Sequence, residues 1–173
     1  MIDSDLDEEQ QSFAETIRNS GESLLTIIND ILDFSKIESG KLEIESERFD
    51  LRRSLEEALD LIAPKAHEKG LELILRYDDS ISEWVHGDVT RLRQIMVNLL
   101  SNSVKFTADG EIVIDVVPFK DEGPDLIQFA VSDTGIGIPQ DRMDRLFKSF
   151  SQVDSSTTRK YGGTGLGLSL IHI

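Results

Sequence analysis

From Phe13 the apolar positions run Phe13, Ile17, Leu24, Ile27, Ile31 and Phe34, with Ser20 filling the one gap, at alternating steps of four and three. That spacing is a heptad stripe and predicts a helix. Asp5 and Glu8 stand at capping-box spacing and Gly40 sits where a helix stops, which places the helix from about Leu6 to about Ser39. Its length would be roughly 50 Å at a rise of 1.5 Å per residue. Leu25, Ile28 and Leu32 widen the stripe beyond a two-stranded seam, so a bundle with more than one partner helix is expected.

Beyond Gly40 the period changes, and the change marks the expected boundary between residues 1–40 and a domain formed by residues 41–173. Lys41–Glu45 alternates as a short strand, Asp50 caps a helix carrying Leu51, Leu55, Leu59 and Ile62, and Leu71–Tyr77 reads as a strand. Asp88 caps a further helix to about Phe106, with Leu92, Ile95 and Leu99 expected to pack on a sheet. Glu111–Val117 and Leu126–Ser132 flank an acidic Gly-Pro turn as an antiparallel hairpin. Pro139 opens a short helix to about Phe150, and the polar stretch Ser151–Gly163 reads as a mobile loop. Mixed in this way, the elements predict an α+β sandwich, a mixed sheet covered by helices on one face and preceded by one long bundle helix.

Composition narrows the function classes. The 173 residues are 39% hydrophobic, enough for a globular core, and carry a net charge of −15. Residues 1–50 hold 14 acidic and four basic side chains, so most of that charge lies at the N-terminal end. The balance argues against a nucleic-acid partner, which calls for a basic face. A polyanionic ligand would have to be held by backbone amides, a metal ion and a few placed cations. Cysteine is absent, no apolar run approaches the roughly 20 residues of a membrane span, and the acidic start lacks the pattern of a signal peptide. Cytoplasm is the expected compartment.

Three segments could carry chemistry. Asn98, Asn102 and Lys105 fall at i, i+4 and i+7 of the Asp88 helix and share one face, where amide oxygens suit a magnesium ion and the lysine suits phosphate; a merely solvated face would look the same. Asp133-Thr134-Gly135-Ile136-Gly137-Ile138-Pro139 follows the second hairpin strand, and its carboxylate can accept a hydrogen bond from an exocyclic amine. Aspartic proteases also use Asp-Thr-Gly but need two copies, and this chain has one. Gly162-Gly163-Thr164-Gly165-Leu166-Gly167 is a glycine-rich turn of the kind that offers free amides to phosphate, with Arg159 and Lys160 just before it; it is neither a Walker loop nor a dinucleotide fingerprint.

In this order and spacing the segments resemble the sensor histidine kinases, especially the hybrid type of phosphorelays. Asn98-Leu-Leu-Ser-Asn102-Ser-Val-Lys105-Phe-Thr is similar to the family's asparagine box, Asp133 to Pro139 to its first glycine box, Leu146-Phe-Lys-Ser-Phe150 to its phenylalanine box, and Gly163-Thr-Gly-Leu-Gly-Leu168 to its last glycine box. Ile28-Asn-Asp-Ile-Leu-Asp-Phe-Ser-Lys-Ile-Glu resembles the second helix of the dimerisation and phosphotransfer bundle.

The resemblance implies ATP and Mg2+ as ligands, in the Bergerat-type sandwich shared with gyrase, a heat-shock chaperone and mismatch-repair ATPases. Asn102 would ligate the metal, Asn98 would support metal and phosphates, Lys105 would contact phosphate and Asp133 would accept the adenine amino group. Gly165 and Gly167 would cradle the phosphate chain, and Phe147 and Phe150 would anchor the loop as a lid. Gly135, Gly137, Ile138, Lys160, Tyr161, Gly163, Thr164, Leu166 and Leu168 complete the implied nucleotide contacts. The related hydrolases carry a water-activating glutamate where this sequence has Asn98, which favours transfer to a protein histidine. The implied partners are a response regulator or receiver domain, a first bundle helix and a second kinase subunit.

Departures from the family pattern shape two further expectations. The acceptor histidine of the family lies on the first bundle helix, whereas His67, His86 and His172 here lie off the heptad helix, so the chain is expected not to phosphorylate itself. After the last glycine box only Leu168–Ile173 remain where the family continues, and Ser169–Ile173 fits the family helix poorly, so the catalytic domain is expected to be incomplete. A non-catalytic nucleotide-binding or dimerising module is the alternative reading.

Overall fold

The computed structural model describes residues 6–119, 126–140 and 143. Helix α1 spans Glu8–Glu38 and is closed at its start by a reciprocal capping box in which Asp7 Oδ1 accepts from Gln10 N at 2.8 Å and Gln10 Oε1 accepts from Asp7 N at 3.2 Å. The box is therefore Asp7 with Gln10, not Asp5 with Glu8. At the other end Gly40 turns left-handed at φ 64°, and the amides of Gly40 and Lys41 return to the carbonyls of Ile37 and Lys36.

Residues 41–46 form no strand, contrary to the alternation read over Lys41–Glu45. The strand is β1, Glu47–Asp50, and it pairs antiparallel with β3, Trp84–Gly87, as a two-stranded sheet with Phe49 opposite Val85. Between them come α2, Leu51–Glu68, and β2, Glu72–Tyr77. Asp50 caps α2 by accepting from Arg53 N at 2.9 Å, and Gly70, at φ 69°, ends it.

Helix α3, Val89–Phe106, is capped by Asp88, and the hairpin β4, Glu111–Pro118, with β5, Ile127–Asp133, follows. The main sheet has the order β2-β4-β5, parallel between β2 and β4 and antiparallel between β4 and β5. Most of the helix expected from Pro139 to Phe150, and all of the loop Ser151–Gly163, lie outside the described residues.

The core forms where α2 and α3 cover one face of this sheet. Leu51, Leu55, Ala58, Ile62 and Ala66 of α2 meet Met96, Leu100 and Val104 of α3 over Ile112, Ile114 and Val116 of β4. Fully burying one such large aliphatic side chain contributes about 2 kcal/mol. For α3 the sheet-facing side thus differs from the expectation: Leu92 packs against the core, but Ile95 and Leu99 stay half-buried beside it. No helix among the described residues is long and apolar enough to cross a membrane.

Candidate functional site

Three other elements hold α3 in place. At its start Asp88 Oδ1 accepts from Arg91 N, while Asp88 Oδ2 accepts from the Glu45 amide of the preceding linker at 3.2 Å. One turn on, Asp33 of α1 accepts from Arg91 Nη1 at 2.6 Å and from Gln94 Nε2 at 3.0 Å. Burial alone would raise the Asp33 carboxyl, but these two hydrogen bonds and the Arg91 charge outweigh it and hold Asp33 below its usual range. At the far end Lys69, just past α2, donates from Nζ to the carbonyls of Val104, Lys105 and Thr107 at 2.6, 3.3 and 3.2 Å. A cation there satisfies carbonyls that a helix leaves open and sits at the negative end of its dipole.

Asn98, Asn102 and Lys105 share one half-buried face of α3, roughly opposite Met96, Leu100 and Val104. Lys105 Nζ stands 5.0 Å from the Phe106 ring centroid, and burial pushes its ammonium below the ordinary lysine value. An anion near this cation would favour the charged form again. Among the described residues no group of three or more His, Cys, Asp or Glu is placed to hold a metal. A divalent ion at this face would therefore draw on amide oxygens and on the ligand it accompanies.

The turn after β5 presses against the end of the same helix. Asp133 pairs with Ile112 at the end of β5, and its Oδ1 accepts from the Gly135 amide at 3.0 Å. Ile136 N donates to Phe106 O at 3.3 Å. A Cβ on Gly135 would stand 2.7 Å from Phe106 O, 2.8 Å from Asp133 Oδ1 and 2.9 Å from Thr107 Oγ1, so only glycine allows this approach. Gly137 adopts φ 66° and sends Ile138 out, half of its surface exposed. The Thr134 hydroxyl bonds to the Asp109 carbonyl and the Glu111 amide, fastening the turn to the start of β4. Lys105 and Ile136 border one cavity of about 80 Å³, so the α3 face and the Asp133 turn meet at one place.

Phe147, Lys160, Tyr161, Gly163, Thr164, Gly165, Leu166, Gly167 and Leu168 lie outside the described residues, as do Phe150 and Arg159. Lys69, Thr107 and Thr134 also shape the site and were not singled out from the sequence. Thr134 could have been read from its place inside the Asp133 turn, but the reach of Lys69 to a helix 35 residues away leaves no local signal.

Known proteins give this arrangement a place. Residues 87–173 match the family described as histidine kinase-, DNA gyrase B-, and HSP90-like ATPase, and residues 1–40 match the histidine kinase A phospho-acceptor domain. Hybrid signal transduction histidine kinase B of Dictyostelium discoideum is 46% identical over 95% of this chain, which spans 8% of that protein. BarA of Escherichia coli is 47% identical over 92% of the chain, which spans 17% of it, and GacS of Pseudomonas protegens is 48% identical over 95%, with 18% of it spanned. Full-length ShkA, solved in complex with AMPPNP, superposes with a TM-score of 0.79 at 32% identity, over 98% of this chain and 34% of that one. With the family model matching half of the chain, the chain belongs to the histidine kinase-, DNA gyrase B- and HSP90-like ATPases, and it is similar over most of its length to hybrid histidine kinases.

Proposed function

We propose that this chain binds magnesium-ATP between α3 and the Asp133 turn, as the catalytic part of a kinase that moves the γ-phosphate to a protein histidine in two-component signalling. The observation that carries the reading is the meeting of the Lys105 end of the Asn98, Asn102 and Lys105 face with the Asp133 turn, where Gly135 presses on the end of α3. ShkA, which shares this fold, is described in complex with AMPPNP, an ATP analogue. Asn102 would ligate the metal and Asn98 would support it, Lys105 would face phosphate, and Asp133 would take the adenine amine. A bound divalent ion would neutralise phosphate charge. An amide at position 98 has no basic lone pair to activate water, so the residues favour phosphoryl transfer over hydrolysis.

The division proposed is residues 1–40 as bundle helix and 41–173 as catalytic domain, supported by the change of pattern at Gly40 and the separate family matches. Phe13 is 60% and Ile17 72% exposed on α1, with Leu24 and Leu32 also open, an apolar face fit for a first bundle helix and a second subunit. A receiver domain or response regulator is the proposed phosphate acceptor downstream, in a cytoplasmic setting, by analogy with the hybrid kinases. Because none of His67, His86 and His172 lies on α1, the chain alone would hold ATP without labelling itself on histidine.

The test is calorimetry of Asn102→Ala against the parent with an ATP analogue and magnesium. The variant loses magnesium-dependent affinity and keeps its fold. Equal affinity in both would remove the metal assignment.

A further inference from the structure

Lys105, the cation read as facing phosphate, lies in the last turn of α3. That is the unfavourable end of a helix for an anion, because the carbonyls there carry the negative half of the dipole while the amides at the start carry the positive half. The net charge of the chain, −15, adds to the opposition. No glycine closes this helix either: Thr107 ends it in an extended conformation, at φ −100° and ψ 126°. The last carbonyls are met instead from other elements. Ile136 N donates to Phe106 O, and Lys69 Nζ donates to the carbonyls of Val104, Lys105 and Thr107. Lys69 and Lys105 border the same cavity of about 80 Å³, so this second positive charge stands where Lys105 meets the Asp133 turn.

We propose that Lys69 is a positioning residue of the nucleotide site that acts by charge: through the carbonyls it covers, it reverses the sign of the end of α3 and lets a phosphate chain stand beside Lys105. The inference rests on the magnesium-ATP reading and extends it to the electrostatics of phosphate binding. A helix end carries about half a negative charge, and one ammonium more than offsets it. A neutral donor in the same place would satisfy the carbonyls and leave their dipoles opposing the anion. Charge is thus the part of Lys69 that the nucleotide senses, and hydrogen bonding the part that the fold senses.

The experiment measures affinity for an ATP analogue with magnesium by calorimetry, from about 0.1 M to about 1 M salt, for the parent, Lys69→Met, Lys69→Gln and Lys69→Arg. Unfolding midpoints are recorded alongside. At the lower salt methionine and glutamine each weaken binding about fivefold, and the gap closes toward the higher salt, since Lys69 is exposed enough for ions to screen it. Arginine keeps the charge and follows the parent's curve. Where methionine loosens the fold, glutamine, whose amide still donates to the carbonyls, reads the same curve. A merely structural lysine would weaken binding by one factor at every salt concentration. Such parallel curves, unchanged affinity in the neutral variants, or an arginine variant as weak as methionine overturns the proposal, even where Asn102→Ala abolishes magnesium-dependent binding and so upholds the broader reading. A parent that binds no ATP analogue overturns both.

Discussion

Lys69 Nζ lies 2.6 Å from the carbonyl of Val104, so a side chain at the end of α2 closes the last turn of α3. The same ammonium reaches the carbonyls of Lys105 and Thr107, residues on either side of the Phe106 carbonyl that receives Ile136 N. Lys69→Met keeps the aliphatic stem and leaves those carbonyls without their donor. The expected loss is about 1–2 kcal/mol of stability, with faster amide exchange confined to the last turn of α3 and the Asp133 turn. Uniform exchange across the core would contradict a local role.

The Asp33–Arg91 pair makes a separate prediction, because it joins α1 to α3 and not α2 to α3. A double-mutant cycle of Asp33→Asn and Arg91→Gln should give a coupling energy of about 1–2 kcal/mol, above that of an exposed pair. Asp33 is held below its reference value of 3.8, so the contact gains its full strength above that value and weakens only as pH falls through the lowered one. Between pH 5 and 8 the docking of α1 is accordingly flat with pH. Protease sensitivity of residues 41–46 is a direct measure; a rise in cleavage near neutral pH would count against the assignment.

Gly135→Ala tests the close approach of the turn to α3. The new methyl would enter a space already filled by three oxygens, at 2.7 to 2.9 Å. A cost of about 1–3 kcal/mol is expected, with a lower unfolding midpoint and lost adenine-nucleotide affinity. Gly21→Ala, in the interior of α1 where a Cβ meets nothing within 4 Å, is the control: nucleotide affinity is unchanged, and the midpoint holds or rises because alanine favours a helix over glycine.

Lys105 supplies a pH signature. Burial disfavours its charge, so the ammonium costs stability at neutral pH, and the cost disappears as pH rises through its lowered pKa. A phosphate beside it favours the charged form. Nucleotide affinity of the parent should therefore begin to fall at a pH below the lysine reference of 10.5, while that of Lys105→Gln stays level over the same range. Parallel curves in calorimetric titrations would show that Lys105 does not face the anion.

Sequence made the local devices visible. Asp50 and Asp88 were read as caps because a carboxylate before an apolar-periodic run has few other uses, and both accept from an amide three residues on. The β4–β5 hairpin was equally open, since the turn and both strands are neighbours in the chain. Pairings at a distance were not. The alternation over Lys41–Glu45 looked as strand-like as Glu47–Asp50, and only the presence of Trp84–Gly87 alongside selects the latter. Asp5 and Glu8 stood at capping-box spacing, but the reciprocal bond of Asp7 with Gln10 sets the box two residues later. On α3 the apolar arc is wide enough that Ile95 and Leu99 competed with Met96 and Leu100 for the sheet, a choice made by packing against β4. The candidate site divides in the same way: Asn98, Asn102, Lys105 and Asp133 stand in motifs, whereas Lys69 matters through neighbours that no spacing reveals.

The parallel pairing of β2 with β4 also sets a timetable for folding. Two parallel neighbours cannot be joined by a tight turn, and here the chain travels from Tyr77 to Glu111 through β3 and α3 before it returns. Loop-closure entropy must be spent on that whole excursion before the first β2–β4 bond forms. The helix bearing Asn98 and Asn102 is the connecting arm of this slow step, and the Asp133 turn can settle against it only once the sheet has zipped. Competence to take up a nucleotide is therefore a late event in folding, arriving with the global transition and not with any fragment of it.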